Sequence, residues 1–279
     1  MATIARKSER AFAVPNFLDV MLATARAEIS RHCAYTIEVV RWPLYPILYF
    51  CLLYLAYQAA GRSTVDGVSA AGFLLVGVFG MALWSTSIWT SGYAVEWERS
   101  QGTINSLFLT PANRTAVVWG YGFGAMLLWV IPTTLVLMLL TIAVGTTFNV
   151  TDPLAVLAAG LALVGAAQAM GYLLAGLFVL TRRANMFANF VQSPIYLLSG
   201  MVVPLDQLPD WLRWFSYGFP FSYGMTALRA ALLDGASLNA IGAELALCVA
   251  TSAIAIIGGA VLLRRVEEVA KRGGQLDFD

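Results

Sequence analysis

Charge is what this 279-residue sequence has least of: Asp, Glu, Lys and Arg make up 12% of it, against roughly 25% in ordinary soluble domains. Lysine occurs only as Lys7 and Lys271, and histidine only as His32. A lone histidine excludes multi-histidine metal sites, and His32 is expected on a solvated helix face. The cysteines, Cys33, Cys51 and Cys248, are scattered without disulfide or metal spacing. The motifs G-x-x-x-x-G-K-[ST], H-E-x-x-H and G-x-S-x-G do not occur. ATP binding by a phosphate loop and the common hydrolase chemistries therefore have no residues here to carry them. A net charge of +1 gives no case for nucleic acid. Arg6, Lys7 and Arg10 are not closely followed by an apolar core, so no cleavable signal is expected and the first span should direct insertion.

Apolar residues fill the space that charge leaves, at 59% of the chain. Six runs are long enough for about 30 Å of hydrocarbon: residues 42–60, 68–94, 115–145, 154–181, 186–203 and 241–263. The fold class expected is an all-α membrane protein in one domain of six transmembrane helices. Pro43 and Pro46 fall in the first turn of the first run, where a missing N–H costs little. Asp152-Pro153 supplies an N-cap and an N1 proline to the fourth, and Pro132 predicts a kink in the third. Trp42, Tyr93, Trp119 and Tyr217 near run ends fit interfacial belts. With the N-terminus inside, fourteen of the 17 basic residues are cytoplasmic, and only Arg62, Arg213 and Arg229 face outward. Both termini are therefore expected on the cytoplasmic side.

Three segments between the runs carry more information than the runs. In 16–35, Asn16 is an N-cap candidate. Leu18, Met21, Leu22, Ala25 and Ile29 recur at helical spacing, with Asp19, Arg26, Glu28 and Arg31 on the other side. This predicts an amphipathic helix in the inner interface, either a membrane anchor alone or also a docking face. In the loop 96–114, Gly102 can stop a helix and Thr103 can cap a new one over 104–109. Ile104, Leu107 and Phe108 would form an apolar knob, suited to a partner's cleft or lying flat on lipid headgroups. In 204–235, Pro209 and Pro220 can open two short helices separated by Gly218 and closed by Gly235. At about 21 Å the second is too short to cross. The pair reads as a re-entrant outer lid bearing Trp211, Leu212, Phe215, Phe221, Met225 and Leu228, or as a packed outer loop.

The order of these features resembles the type 2 ABC exporter permeases, the membrane subunits of ATP-binding-cassette exporters. The likeness runs through the N-terminal amphipathic helix, Glu96 and Glu98 followed by Arg99 and Gly102-Thr103, and Leu109-Thr110-Pro111. It continues through Ser199-Gly200, Val203-Pro204, Leu208-Pro209-Asp210-Trp211-Leu212, Phe219-Pro220-Phe221-Ser222-Tyr223, Arg229 and Asp234-Gly235. The resemblance implies that 104–109 is a coupling helix seated on an ATPase, with Glu96, Glu98 and Arg99 in a charge network joining it to the interface helix. It implies that the two short helices are an outer gate. Trp97 and Ser100-Gln101 stand where charge is frequent in relatives. The implied assembly has a second permease, identical or paralogous, and two ATPase subunits holding ATP and Mg; this chain would bind no cofactor or metal. The implied setting is the bacterial plasma membrane.

Other readings fare less well. A proton-coupled transporter needs an ionisable group near mid-membrane, and no span core has one, Glu244 lying at an outer end. A scaffold would need no coupling loop. For the substrate, Tyr49 and Tyr54 in an aromatic stripe, Ser87, Gln168, Asn189 and Gln192 are the candidate path residues, each also explicable as packing or helix joining. An uncharged lining favours a hydrophobic or amphipathic molecule, a drug-like natural product or lipid. A lipid-linked glycan or polysaccharide is the alternative if the aromatics face the pore.

Overall fold

The structure, a computed structural model, describes residues 16–34, 36–65, 67–102, 113–181 and 183–273, and the side chains of these except 36–43 and 266–273. Helix α1 (Phe17–Cys33) leads into α2 (Thr36–Ala59), and a short hairpin pairs β1 (Thr64–Val65) with β2 (Val68–Ser69). Then come α3 (Ala70–Ser87), a π-helical turn (Ile88–Gly92) and α4 (Ala94–Ser100). Helices α5 (Arg114–Val144), α6 (Pro153–Val179), α7 (Ala184–Leu198), α8 (Asp210–Ser216), α9 (Pro220–Leu232) and α10 (Gly242–Gly273) follow. Among the described residues this is an all-α membrane protein apart from one two-stranded hairpin. Among the described residues, four stretches are long and apolar enough to cross a bilayer: Ala70–Gly92, Arg114–Val144, Pro153–Val179 and Gly242–Arg265.

Three boundaries differ from expectation. Helix α2 begins at Thr36 rather than 42, so Pro43 and Pro46 lie inside it and not in its first turn. Val68 and Ser69 belong to the hairpin, so the second run enters its helix at Ala70, with the Ser69 side chain accepting from the Gly72 N–H. The fifth run stops at Leu198 rather than 203. Gly200 adopts φ +68°, and the N–H groups of Gly200 and Met201 close back onto Leu197 and Tyr196. A β-carbon makes that conformation costly, so the turn favours glycine. At Asn113 and Asp152 the sequence signals correspond to real caps, whereas Asn16, the expected cap of α1, makes no side-chain cap hydrogen bond. Asn113 accepts from Thr115, and Asp152 accepts from Leu154 and Ala155. The second Asp152 oxygen takes the Leu238 N–H at 2.9 Å, which chiefly holds this carboxylate below its ordinary pKa. Helix α5 runs on through Pro132.

The centre of the bundle is α3 with its π turn, 94% of whose apolar window is buried, against 17% for α5 and α10. The outer helices instead display stripes of large aliphatics. On α2 these are Leu44, Leu48, Leu52 and Leu55, and on α5 Leu127, Ile131, Leu135, Met138 and Ile142. Such stripes at i, i+4 spacing are faces for lipid. Toward protein, α5 shows glycine. A β-carbon on Gly120 would lie 2.6 Å from the Met21 carbonyl oxygen, and one on Gly124 would lie 2.6 Å from that of Ala25. The G-x-x-x-G spacing lets α1 pack lengthwise on α5 at backbone distance.

That contact yields the first prediction. Gly124→Val should force α1 away and cost about 1–3 kcal/mol, seen as a lower unfolding midpoint in detergent, whereas Gly160→Ala, with open space at its β-carbon, should leave the midpoint unchanged.

Candidate functional site

At the end of the bundle where α1, α4 and the start of α5 meet, polar groups gather that the helices bring from three places in the chain. Arg31 is placed by α1 with its guanidinium carbon 4.5 Å from the Trp97 ring centroid and 5.7 Å from that of Tyr121. The Tyr121 hydroxyl donates to the Glu98 carboxylate. Arg99 pairs with Glu96 at 3.0 Å along α4. Glu28 accepts from Arg31 at 2.5 Å. His32 Nδ1 donates to the Glu28 carbonyl at 3.1 Å, and the ring meets Trp129 edge-on at 5.7 Å. Trp97 thus receives a cation on its ring face, a contact that does for α1 and α4 what a charge pair would do.

Two expectations for α1 are corrected. Glu28, assigned to the solvated side, is 1% exposed, whereas Leu18 and Leu22 are exposed. The buried carboxylate is answered by Arg31 at 2.5 Å and lies 3.4 Å from His32 Nδ1. His32, expected on a solvated face, is tucked between Glu28 and Trp129. Burial pushes the Glu28 carboxyl above the usual carboxylate range, with Arg31 and His32 opposing that rise.

Midway along the bundle the polar residues of the spans tie helices together. Ser87 is fully buried and donates to the Ala167 carbonyl at 2.5 Å. Gln168 accepts weakly from Ser91 and donates to the Trp119 carbonyl, both at 3.4 Å. Gln192 takes Trp89 Nε1 at 3.0 Å and donates to the Tyr196 hydroxyl at 2.8 Å, which lies 2.7 Å from that of Tyr45. Asn189 is exposed and bonds back to Asn185. Tyr49 packs on Tyr45 at 4.4 Å, and Tyr54 stacks on Phe50 at 5.5 Å.

At the opposite end, the short helices divide their side chains. Phe221, Met225 and Leu228 of α9 are buried, Phe221 meeting Trp84 at 5.6 Å. Trp211 and Phe215 of α8 are exposed, and Leu212 is half-buried. Arg229 donates to the carbonyls of Gly200 at 2.5 Å and Met201 at 3.1 Å, and lies 3.7 Å from the Phe73 ring centroid. It fastens the turn after α7, whose carbonyls have left the helical ladder.

With this geometry in view, likeness to known proteins becomes specific. A family model described as ABC-2 type transporter matches residues 35–233. The chain belongs to the ABC-2 type transporter family. ABC transporter G family member 20 of Dictyostelium discoideum is 24% identical over 143 residues, which are 51% of this chain and 19% of that protein. As an ABC-2 type transporter, the chain is a multi-pass membrane permease component.

Of the residues expected at the coupling end of the transporter, Glu96, Glu98, Arg99 and Gly102 are described, Gly102 ending α4 with φ +70°. Thr103, Ile104, Leu107 and Phe108 lie outside the described residues. Sequence reasoning placed Arg31 on α1 but missed its reach to Trp97 and Tyr121. The aromatic at 97, standing where charge was expected, was the available signal.

A pH dependence follows from Glu28. Its carboxyl holds a proton more tightly in the fold than in the unfolded chain, so this contribution to stability is present below the ordinary carboxylate pKa and lost as pH rises through the higher folded value. Glu28→Gln should flatten that slope in unfolding midpoints measured from pH 4 upward. An identical slope in the variant would show that burial of Glu28 does not shift its titration.

Proposed function

We propose that this ABC-2 type transporter is the permease of an ATP-driven exporter in a bacterial plasma membrane, with both termini cytoplasmic. In this reading six helices span: α3 with its π turn, α5, α6 and α10, joined by α2 and α7. Helix α7 is about 22 Å long, short of the hydrocarbon thickness, and the turn fastened by Arg229 continues it toward the α8–α9 end. The permease pairs with an identical or paralogous copy and with two separate ATPase subunits that bind ATP and Mg. The segment 103–109 docks on the ATPase, and α8 and α9 form the outer gate.

The observation that supports this best is the bracing of α4. This seven-residue helix follows the central span through the π turn and is held by Arg31 from α1 and Tyr121 from α5. A short helix fixed to three elements can transmit a push from the adjoining loop into the bundle centre, which a loosely attached loop could not. For the substrate, α2 from Leu44 and all of α7 carry no Asp, Glu, Lys or Arg, which supports a hydrophobic or amphipathic molecule. The aromatic rings of α2 pack on one another and meet Tyr196 edge-on, which favours that reading over a glycan-stacking shelf.

The test uses the permease reconstituted with its ATPase. Leu107→Asp and Phe108→Ala should abolish substrate-stimulated ATP hydrolysis with insertion intact. Tyr121→Phe, which removes one charge-assisted hydrogen bond, should lower it about tenfold. Unchanged stimulation in all three would mean that the loop after α4 is not the docking element.

A further inference from the structure

Helix α8 turns its rings away from the protein and its arginine back onto it. Trp211, Trp214 and Phe215, at i, i+3 and i+4, share one face and are 65%, 77% and 62% exposed, and Tyr217 is exposed just beyond the helix. On the other side Leu212 is half-buried, and Ser216 is buried with its hydroxyl 3.4 Å from the Leu212 carbonyl. Arg213 donates to the carbonyls of Asp206 at 2.8 Å and Leu208 at 3.4 Å, with Asp210 4.0 Å away. Water around a helix selects the opposite arrangement, apolar inward and charge outward. An aromatic face turned outward calls for something other than water against it.

Position and residue type identify the partner. The segment leading into α8 is tied twice to the end of α2: the Tyr57 hydroxyl donates to the Val202 carbonyl at 2.8 Å, and Arg62 donates to Gln207 at 3.1 Å. Helix α2 carries the aliphatic stripe Leu44, Leu48, Leu52 and Leu55 and ends at Ala59. Arg62 follows where that stripe stops, and a guanidinium there keeps its charge in the headgroup layer. Helix α8 therefore starts at the level of the headgroups. Residue type changes at the same level. The stripes of α2 and α5 are Leu, Ile and Met, whereas among the described residues every exposed Trp and Tyr lies at an end of the bundle, Trp97 on α4 and Trp211, Trp214 and Tyr217 here. Such rings favour the boundary, because the ring leaves water while its N–H or O–H still reaches a headgroup acceptor. A second copy of the chain would have to bury three rings and offer an acceptor to each indole N–H in one fixed register; headgroups offer acceptors in any register. Asp210 and Arg213 offset one another, so α8 has no net charge with which to select a headgroup. We propose that α8 is an interfacial helix, seated by Trp211, Trp214 and Phe215 in the headgroup–acyl boundary of the leaflet at its end of the bundle, where it anchors the turn after α7. The inference rests on the chain's place in a bilayer, not on substrate, direction of transport or the gate.

The experiment reconstitutes the full-length chain in phosphatidylcholine vesicles and compares it with the double variant Trp211→Phe, Trp214→Phe, so that the difference in emission reports the two indoles. That difference should be largely lost when the lipid is brominated near the carbonyl end of its chains. It should be retained when bromine sits near the methyl end, or when iodide is added to the water. Vesicles containing phosphatidylglycerol should give the same pattern. Hydrogen exchange in vesicles supplies a second readout. Replacing both tryptophans by serine should speed exchange of the α8 amides about tenfold and leave those of α3 unchanged. The conservative phenylalanine pair carries the quenching test whatever the serine pair does to the fold. Quenching by iodide would place α8 in water, and stronger quenching from the methyl end would place it deep in hydrocarbon. Protection from iodide and from both brominated lipids would place it against a second copy. Each of these would overturn the proposal, as would a requirement for phosphatidylglycerol or unchanged α8 exchange in the serine pair.

Discussion

Within hydrocarbon no solvent competes for a polar group, so every donor and acceptor must find its partner inside the protein. That constraint organises this bundle. The central rod of α3 and its π turn is where the partners converge. Ser87 reaches α6 through the Ala167 carbonyl, Trp84 and Trp89 reach α7 through Gln192, and the Phe73 ring receives Arg229 from α9. Apolar packing cannot choose among helix rotations when lipid is as greasy as the neighbouring helix. The discrete polar contacts and the close glycine approaches make that choice.

The same physics decides what could be read from the sequence. Hydropathy reports which segments leave water, and the four long helices were legible for that reason, as were the caps at Asn113 and Asp152 and the proline-opened helices at Asp210 and Pro220. Which face of a helix meets protein was not legible, because the soluble-protein rule reverses. Leu18 and Leu22 of α1, and the aliphatic stripe of α5, look outward, while Glu28, Ala25, Gly120 and Gly124 are the packing surface. An amphipathic helix read as lying in the inner interface puts Glu28 on its solvated side, whereas the residue is buried. The π turn at Ile88–Gly92 was also beyond reach, since one extra residue in a helical turn leaves hydropathy unchanged. Its trace is the run of small hydroxyl residues there, Ser87, Thr90 and Ser91, whose side chains return to nearby carbonyls or to Gln168.

At the α4 end, the substitution of an aromatic for a charge changes the character of the link. An exposed ion pair is screened by salt and its net worth is small. A guanidinium lying on Trp97 with Tyr121 nearby adds a ring-face contact to its charge, although Trp97 itself stays 40% exposed. Arg31 also pairs with the buried Glu28, one turn beyond the part of α1 that rests on the α5 glycines. The α1–α4–α5 junction is consequently a set of mutually dependent contacts: moving α4 disturbs Trp97, hence Arg31, hence the seat of α1.

These contacts also bear on how the centre of the bundle can move. The rod of α3 and its π turn is held on one side by Gln192 of α7 and on the other by Ala167 and Gln168 of α6. A rotation that kept one set while breaking the other would strand buried donors without water to take them, at a cost of about 1–3 kcal/mol for each. Small graded rotations are therefore the expensive ones, and an arrangement in which both sets exchange together is the inexpensive one. A centre built this way favours two discrete positions over a continuum. The π turn lies between the two sets and the braced helix α4, where such an exchange would have to begin.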